Sequence, residues 1–187
     1  MLIRATLITF FILLTSITTV ATASKAADDK EALAAFMESA VVAKYHKSAY
    51  AYAIFPTIGK GGFGIGAAHG TGGVYRGGKK TGNVSMTQIS IGLQLGGQAY
   101  RQVIYLQDKR AFKEFTSGEF EFGAQAEAIA ITASAGAKTG TEGSSASTHA
   151  KQADATWHKG MIVFTMTKGG LMYQAALGGQ KYEYTAK

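Results

Sequence analysis

The hydrophobic pattern of this chain changes its period along its length. Ala5 to Val20 carries no charge and includes Leu7, Ile8, Phe10, Phe11, Ile12, Leu13 and Leu14. One positive residue, Arg4, precedes it, and the small residues Ala21-Thr22-Ala23 follow. A basic start, an apolar core and a small-residue exit predict a signal peptide over 1–23, cut after Ala23. A membrane anchor needs about 20 apolar residues, and this run is shorter and interrupted by Thr9, Thr15, Ser16, Thr18 and Thr19. From Asp28 the period becomes helical. Leu33, Phe36, Met37, Ala40, Val41 and Lys44 share one face at the 3, 4, 7 spacing. Asp28 stands as its cap, with Glu31 at the reciprocal capping-box position. The pattern predicts one long amphipathic helix that extends towards Ala53 and is stopped by Pro56.

Beyond Gly59 the spacing turns to two. Gly61 to Gly70 alternates small and large residues, Gly72 to Arg76 reads as a short strand, and Gly77-Gly78-Lys79-Lys80 as a hairpin turn. Ile89 to Leu95 places four aliphatics on one face, and Tyr100 to Leu106 continues extended. Asp108 caps a short helix over Lys109 to Thr116, closed by Ser117-Gly118. Phe120, Phe122, Ala124, Ala126, Ala128 and Ala130 form one face of a long strand, with Glu119, Glu121, Gln125 and Glu127 on the other. Gly136 to Asp154 has no apolar pattern and reads as a mobile loop. Strands over Met161–Met166, Leu171–Leu177 and Lys181–Thr185 close the chain. The expected fold is therefore α+β in a single domain over 24–187. It is a mostly antiparallel, strongly curved or barrel-like glycine-rich sheet, with a long N-terminal amphipathic helix and a short second helix.

Composition narrows the chemistry. The chain has no cysteine, so neither a disulfide nor lipoprotein acylation is available to it. The net charge is +7, and removing 1–23 takes away Arg4 alone. A basic excess suits an acidic partner, and export to the periplasm or outside the cell sets nucleic acid aside. Lys60, Arg76, Lys79, Lys80 and Arg101 lie near turns of the predicted sheet, and Lys109, Arg110 and Lys113 lie on the short helix. Several converging cations would each contribute about 1 kcal/mol beside an anionic membrane.

Patterns that would signal an enzyme fail on context. Gly59 to Gly64 spells G-x-G-x-x-G, yet a helix precedes it and Ile65 to Gly70 cannot start one, so no helix N-terminus faces a pyrophosphate. Gly73 to Lys79 spells G-x-x-x-x-G-K, but Lys80 occupies the place of the metal-binding hydroxyl. His46, His69, His149 and His158 show no ligand spacing. Glu119 and Glu121 share a strand face without partners for acid–base work, and Ser85 and Ser90 lie in no nucleophile elbow. Neither a catalytic set nor a metal or other cofactor is expected.

Several blocks in order resemble the SYLF family, a lipid-binding and actin-regulator domain. They are Ala53-Ile54-Phe55-Pro56, Lys60-Gly61-Gly62-Phe63-Gly64, Gly70-Thr71-Gly72-Gly73-Val74, Gly92 to Gln98, and Gly169-Gly170-Leu171-Met172. The resemblance implies binding to anionic phospholipids, phosphoinositides in eukaryotic members, through basic residues and an amphipathic helix. For an exported, peripherally membrane-associated member, other acidic lipids take the place of phosphoinositides, and cytoplasmic actin is out of reach. On this reading Lys60, Arg76, Lys79, Lys80 and Arg101 meet headgroups, while Phe36, Met37 and Val41 supply apolar contact. The rival readings are an envelope scaffold that holds a protein partner and, further off, a lipid-acting enzyme.

Overall fold

The computed structural model describes residues 25–63, 65–91, 98–122, 129–131, 156–168 and 177–187. The expected signal peptide, the Gly136–Asp154 stretch and most of Leu171–Leu177 lie outside these residues. Helix α1 covers 25–37 and α2 covers Ala40–Ser48. Eight strands follow: β1 (Ala51–Phe63), β2 (Ile65–Arg76), β3 (Lys79–Ile91), β4 (Gln98–Leu106), β5 (Glu119–Glu121), β6 (Ile129–Ile131), β7 (Met161–Thr167) and β8 (Gln180–Ala186). Helix α3 (Lys109–Phe115) sits between β4 and β5. The strands form one sheet in the order β5-β8-β3-β2-β1-β4-β7-β6. Its described pairings are antiparallel except β6 with β7.

The sheet curls strongly. In a flat sheet β8 and β4, four strands apart, would stand about 19 Å from each other. Here the Gln102 side-chain amide on β4 donates to the Tyr182 hydroxyl on β8 at 2.6 Å. The expectation of a curved, barrel-like antiparallel sheet is met, as a half-barrel. Alternation along each strand then serves two cores. Ala53, Phe55, Val74, Met86, Ile104, Val163 and Tyr182 point into the concave interior, where Ala111 and Phe115 of α3 join them. Ile54, Val103, Tyr105, Ile162 and Phe164 face outward and are covered by Ala32 and Phe36 of α1 and Val42 of α2.

The N-terminal helix departs from expectation. It is divided at Ser39, whose extended backbone (φ −83°, ψ 120°) interrupts the helical hydrogen bonding. It ends at Ser48 rather than near Ala53. Pro56 does not stop a helix. It lies inside β1 at an irregularity where the register with both neighbouring strands shifts between about Ile54 and Ile58. A proline in a central strand is tolerated at such a bulge, where no ladder hydrogen bond is needed from it. The neighbouring strand accommodates the irregularity with Gly72, since any Cβ there would collide with the Ile54 carbonyl.

The glycine pattern of the β2–β3 connection behaves as read, though the turn is tighter. Gly77 (φ 55°) and Gly78 (φ 75°) form it alone, and Lys79 and Lys80 already belong to β3. Two left-handed residues give the hairpin geometry that matches strand twist. Gly72–Arg76 is the last part of a twelve-residue strand rather than a short one. Asp108 caps α3 as expected, accepting from the Ala111 amide at 2.8 Å. The face alternation at 119–122 also holds, with Glu119 and Glu121 exposed and Phe122 buried.

Two consequences are measurable. Phe36 is fully buried in the outer core, so Phe36→Ala should cost about 3–5 kcal/mol in denaturant unfolding. His46 of α2 lies half-buried against the rings of Tyr52 (5.2 Å) and Tyr105 (5.7 Å), and burial lowers its pKa. The unfolded chain therefore takes up a proton near pH 6.5 that the folded chain resists. The contribution of His46 is present above that pH and is lost as pH falls through the lowered folded value. The melting temperature should drop between pH 7 and pH 5, and His46→Gln should flatten that slope.

Candidate anion-binding surface

One end of the half-barrel gathers cations around aromatic rings. It is the end where β1 begins, β2 turns into β3 and β4 leaves for α3. Arg76, the last residue of β2, holds its guanidinium 5.9 Å from the centre of the Tyr50 ring and 5.5 Å from that of Phe112. It also donates to the Tyr50 hydroxyl at 3.3 Å. The Tyr50 and Phe112 rings meet edge to face at 5.9 Å. Tyr50 is the residue just before β1 and Phe112 lies in the middle of α3, so this three-way contact fastens the short helix to the hairpin. Lys109 stands one turn before Phe112 on α3, and Lys113 lies one turn beyond Lys109. Lys79 pairs with Arg76 across the hairpin. Arg76, Lys79, Lys109 and Lys113 are all exposed, and the three lysines form no ion pair among the described residues. Arg110 is held differently, by Glu114 at 3.0 Å and the Lys159 carbonyl at 3.0 Å. A guanidinium held against rings, together with exposed ammonium groups, can donate to phosphate oxygens while the rings meet apolar chain.

The convex face presents a second arrangement, which is occupied. Asp29 of α1 is only 3% exposed, and its Oδ2 accepts from the Tyr75 hydroxyl at 2.7 Å and from Lys80 Nζ at 3.1 Å. The site lies over Gly73, where a Cβ would stand 2.5 Å from Asp29 Oδ2 and 2.9 Å from Lys80 Cε. Tyr75 stacks on Tyr52 at 5.1 Å, nearly parallel. Desolvation, then the hydrogen bond to Asp29, holds the Tyr75 hydroxyl far above its ordinary pKa. Two residues on, Glu31 accepts from Arg101 at 2.6 Å across the same helix. Glu31 is 72% exposed, so this pair is worth little on its own. The buried Asp29 pair is different, because removing one partner would strand a charge away from water.

The five cations read from the sequence therefore do not form one patch. Arg76 and Lys79 come together at the hairpin end. Lys80 leaves the same hairpin towards the convex face and is committed to Asp29. Arg101 lies further along that face and is committed to Glu31. Lys60 stands at the opposite end of the sheet, across from Ala68 and Gln98. The physical reason is strand alternation, which sends neighbours such as Lys79 and Lys80 to opposite sides. The apolar trio also needs correction. Phe36 is packed into the outer core and Met37 and Val41 are partly covered. In this arrangement their face meets the sheet rather than a lipid.

Sequence reading missed two groups. Asp29 looked like a second acidic residue beside a cap, and nothing local marks it as buried. The other is a polar set inside the barrel. Gln102 and Gln180 are fully buried, with Gln88, Tyr100, Thr165 and Tyr182 beside them. Gln180 donates to Gln88 and to the Tyr100 hydroxyl, both at 3.3 Å, and Tyr182 donates to Gln180. The signal available was Gln102 itself, a polar residue at alternate spacing with Tyr100, Ile104 and Leu106.

Among the described residues no group of three histidine, aspartate or glutamate side chains is placed to hold a metal ion. No described helix is long and apolar enough to cross a membrane. Among curated proteins no match was found. The model of the family Ysc84, described as Las17-binding protein actin regulator, matches residues 87–185. That stretch runs from the end of β3 to β8 and includes α3, while β1, β2 and the hairpin that carries Arg76 and Lys79 precede it. Since the match takes in more than half of the chain, and contains the later blocks, Gly92 to Gln98 and Gly169 to Met172, read from the sequence, the chain belongs to the Ysc84 (SYLF) family.

Proposed function

We propose that this domain binds acidic phospholipid surfaces reversibly through the hairpin end of the half-barrel. The family is associated with lipid binding and actin regulation. The observation that carries the reading is Arg76 seated over Tyr50 and Phe112, with exposed Lys79, Lys109 and Lys113 around it. The headgroup is read as a phosphodiester of any acidic lipid, because the cluster offers charge and aromatic faces. The N-terminal pattern at 1–23 supports an exported, periplasmic or secreted protein that meets such lipids from outside the cytoplasm. The protein then works as a peripheral binder without catalysis.

The family description names a protein partner, and a scaffold role is the second reading. Salt separates them, since electrostatic attachment to lipid weakens as ions screen it.

Flotation with vesicles of phosphatidylcholine, with and without phosphatidylglycerol, tests the proposal. The protein should float with acidic vesicles only, and less in high salt. Three lysines at about 1 kcal/mol each amount to roughly 3 kcal/mol, so Lys79→Glu, Lys109→Glu and Lys113→Glu together should weaken binding on the order of 100-fold. Equal binding to neutral vesicles, or unchanged binding by the triple variant, would refute it.

A further inference from the structure

We infer that the convex face carries a second anion site, made by Lys80 and Tyr75 over Gly73, which α1 keeps filled with its own Asp29 carboxylate until an acidic surface displaces it. This rests on the reading of the hairpin end as a lipid-binding surface, and concerns how that surface is enlarged.

The chemistry of the cradle is that of a phosphate site. A hydroxyl and an ammonium converge on one oxygen, at 2.7 Å and 3.1 Å. The floor is a glycine, so the backbone comes close where any side chain would fill the space. The Tyr75 ring stacks on Tyr52 and lies 5.7 Å from Lys80 Nζ, so donor and cation also touch each other directly and not only through Asp29. A carboxylate fits there as the internal counterpart of a phosphate oxygen.

Position connects this site to the hairpin end. Lys80 follows Lys79 directly as the second residue of β3, beside the Gly77-Gly78 turn. With Asp29 gone, its ammonium would be a free cation on the convex side of the same hairpin whose other side carries Lys79. Arg101 would add a further one on the same face, since its partner Glu31 lies on the same helix two residues from Asp29. Lifting α1 thus frees two cations and carries two carboxylates away from them, and a negatively charged surface favours both by attracting the first and repelling the second. Against release stand Ala32 and Phe36, which α1 buries in the outer core. The break at Ser39 separates α1 from α2 and provides the hinge at which one helix can leave while the other stays. The arrangement is an autoinhibitory latch: strong enough to hold in solution, and opposed by the electrostatics of the target.

The test uses the full chain, Asp29→Asn, and the same two kinds of vesicle. Amide exchange of residues 25–37 is followed with and without vesicles, and binding is followed by flotation. In the parent protein, acidic vesicles should raise exchange over 25–37 and neutral ones should not. Asp29→Asn should raise exchange in this segment without lipid and bind acidic vesicles severalfold more tightly. Adding Lys80→Gln should cancel that gain in binding. If Asp29→Asn does not fold, Glu31→Gln, at an exposed position, should give a smaller gain of the same sign. Unchanged exchange over 25–37 on acidic vesicles, or no gain from the folded variant, overturns the latch. Should the triple lysine variant lose binding while Asp29→Asn gains none, the hairpin-end surface stands and the latch falls. Binding by Asp29→Asn that survives loss of those lysines would uphold the latch and refute the hairpin end as the main surface. If neither parent nor variant binds acidic vesicles, both fall.

Discussion

Strands β1 and β4 must be buried on both faces at once, and the rest of the molecule is arranged around that requirement. Ala53 and Ile104 face one way, Ile54 and Val103 the other, and all four are fully buried. A single sheet cannot cover both sides of its own central strands. Curling supplies one cover, because β8 and β3 swing round until Tyr182 reaches Gln102. The helices α1 and α2 supply the other. An amphipathic N-terminal helix in such a protein is therefore needed by the sheet before it is offered to anything else. That is why Phe36 lies in a core, and why a role for this helix at a membrane requires it to leave something behind.

The same two-sided geometry sorts the charges. Positive residues cluster in sequence around turns, but strands alternate, so Lys79 and Lys80 part company at the first residues of β3. What reaches the hairpin end is the subset that faces α3, drawn together by the contact of Arg76 with Tyr50 and Phe112. What reaches the convex face is met by carboxylates of α1. Asp29 is buried and bound twice, Glu31 exposed and bound once. The difference in desolvation makes the first a structural commitment and the second a weak tether.

Inside the half-barrel the polar residues Gln88, Gln102 and Gln180 interrupt an otherwise apolar filling. Each lies at an inward position of its strand, and their amides find one another and the hydroxyls of Tyr100 and Tyr182. Hydrogen bonds between buried neutral groups contribute modestly when made and cost more when broken. The set thereby ties β3, β4 and β8 to one another across the interior and favours one curvature of the sheet.

Much was legible in the residues themselves, because it depended on local rules. The extended runs Tyr100–Leu106 and Met161–Met166, the glycine pair at 77–78 and the Asp108 cap each follow from backbone preferences that neighbours in sequence decide. The one long helix to Ala53 and the role of Pro56 were misread for a physical reason. Alanine, tyrosine and phenylalanine suit either state in a short run, and pairing with β2 and β4, remote in sequence, settled it. The candidate site divides in the same way. That the chain carries cations near turns is a property of the sequence. Which of them meet, which are spent on Asp29 and Glu31, and which lies at the far end were decided only when strand register and helix docking brought distant residues within a few ångströms, since charges act through distance in space and not along the chain.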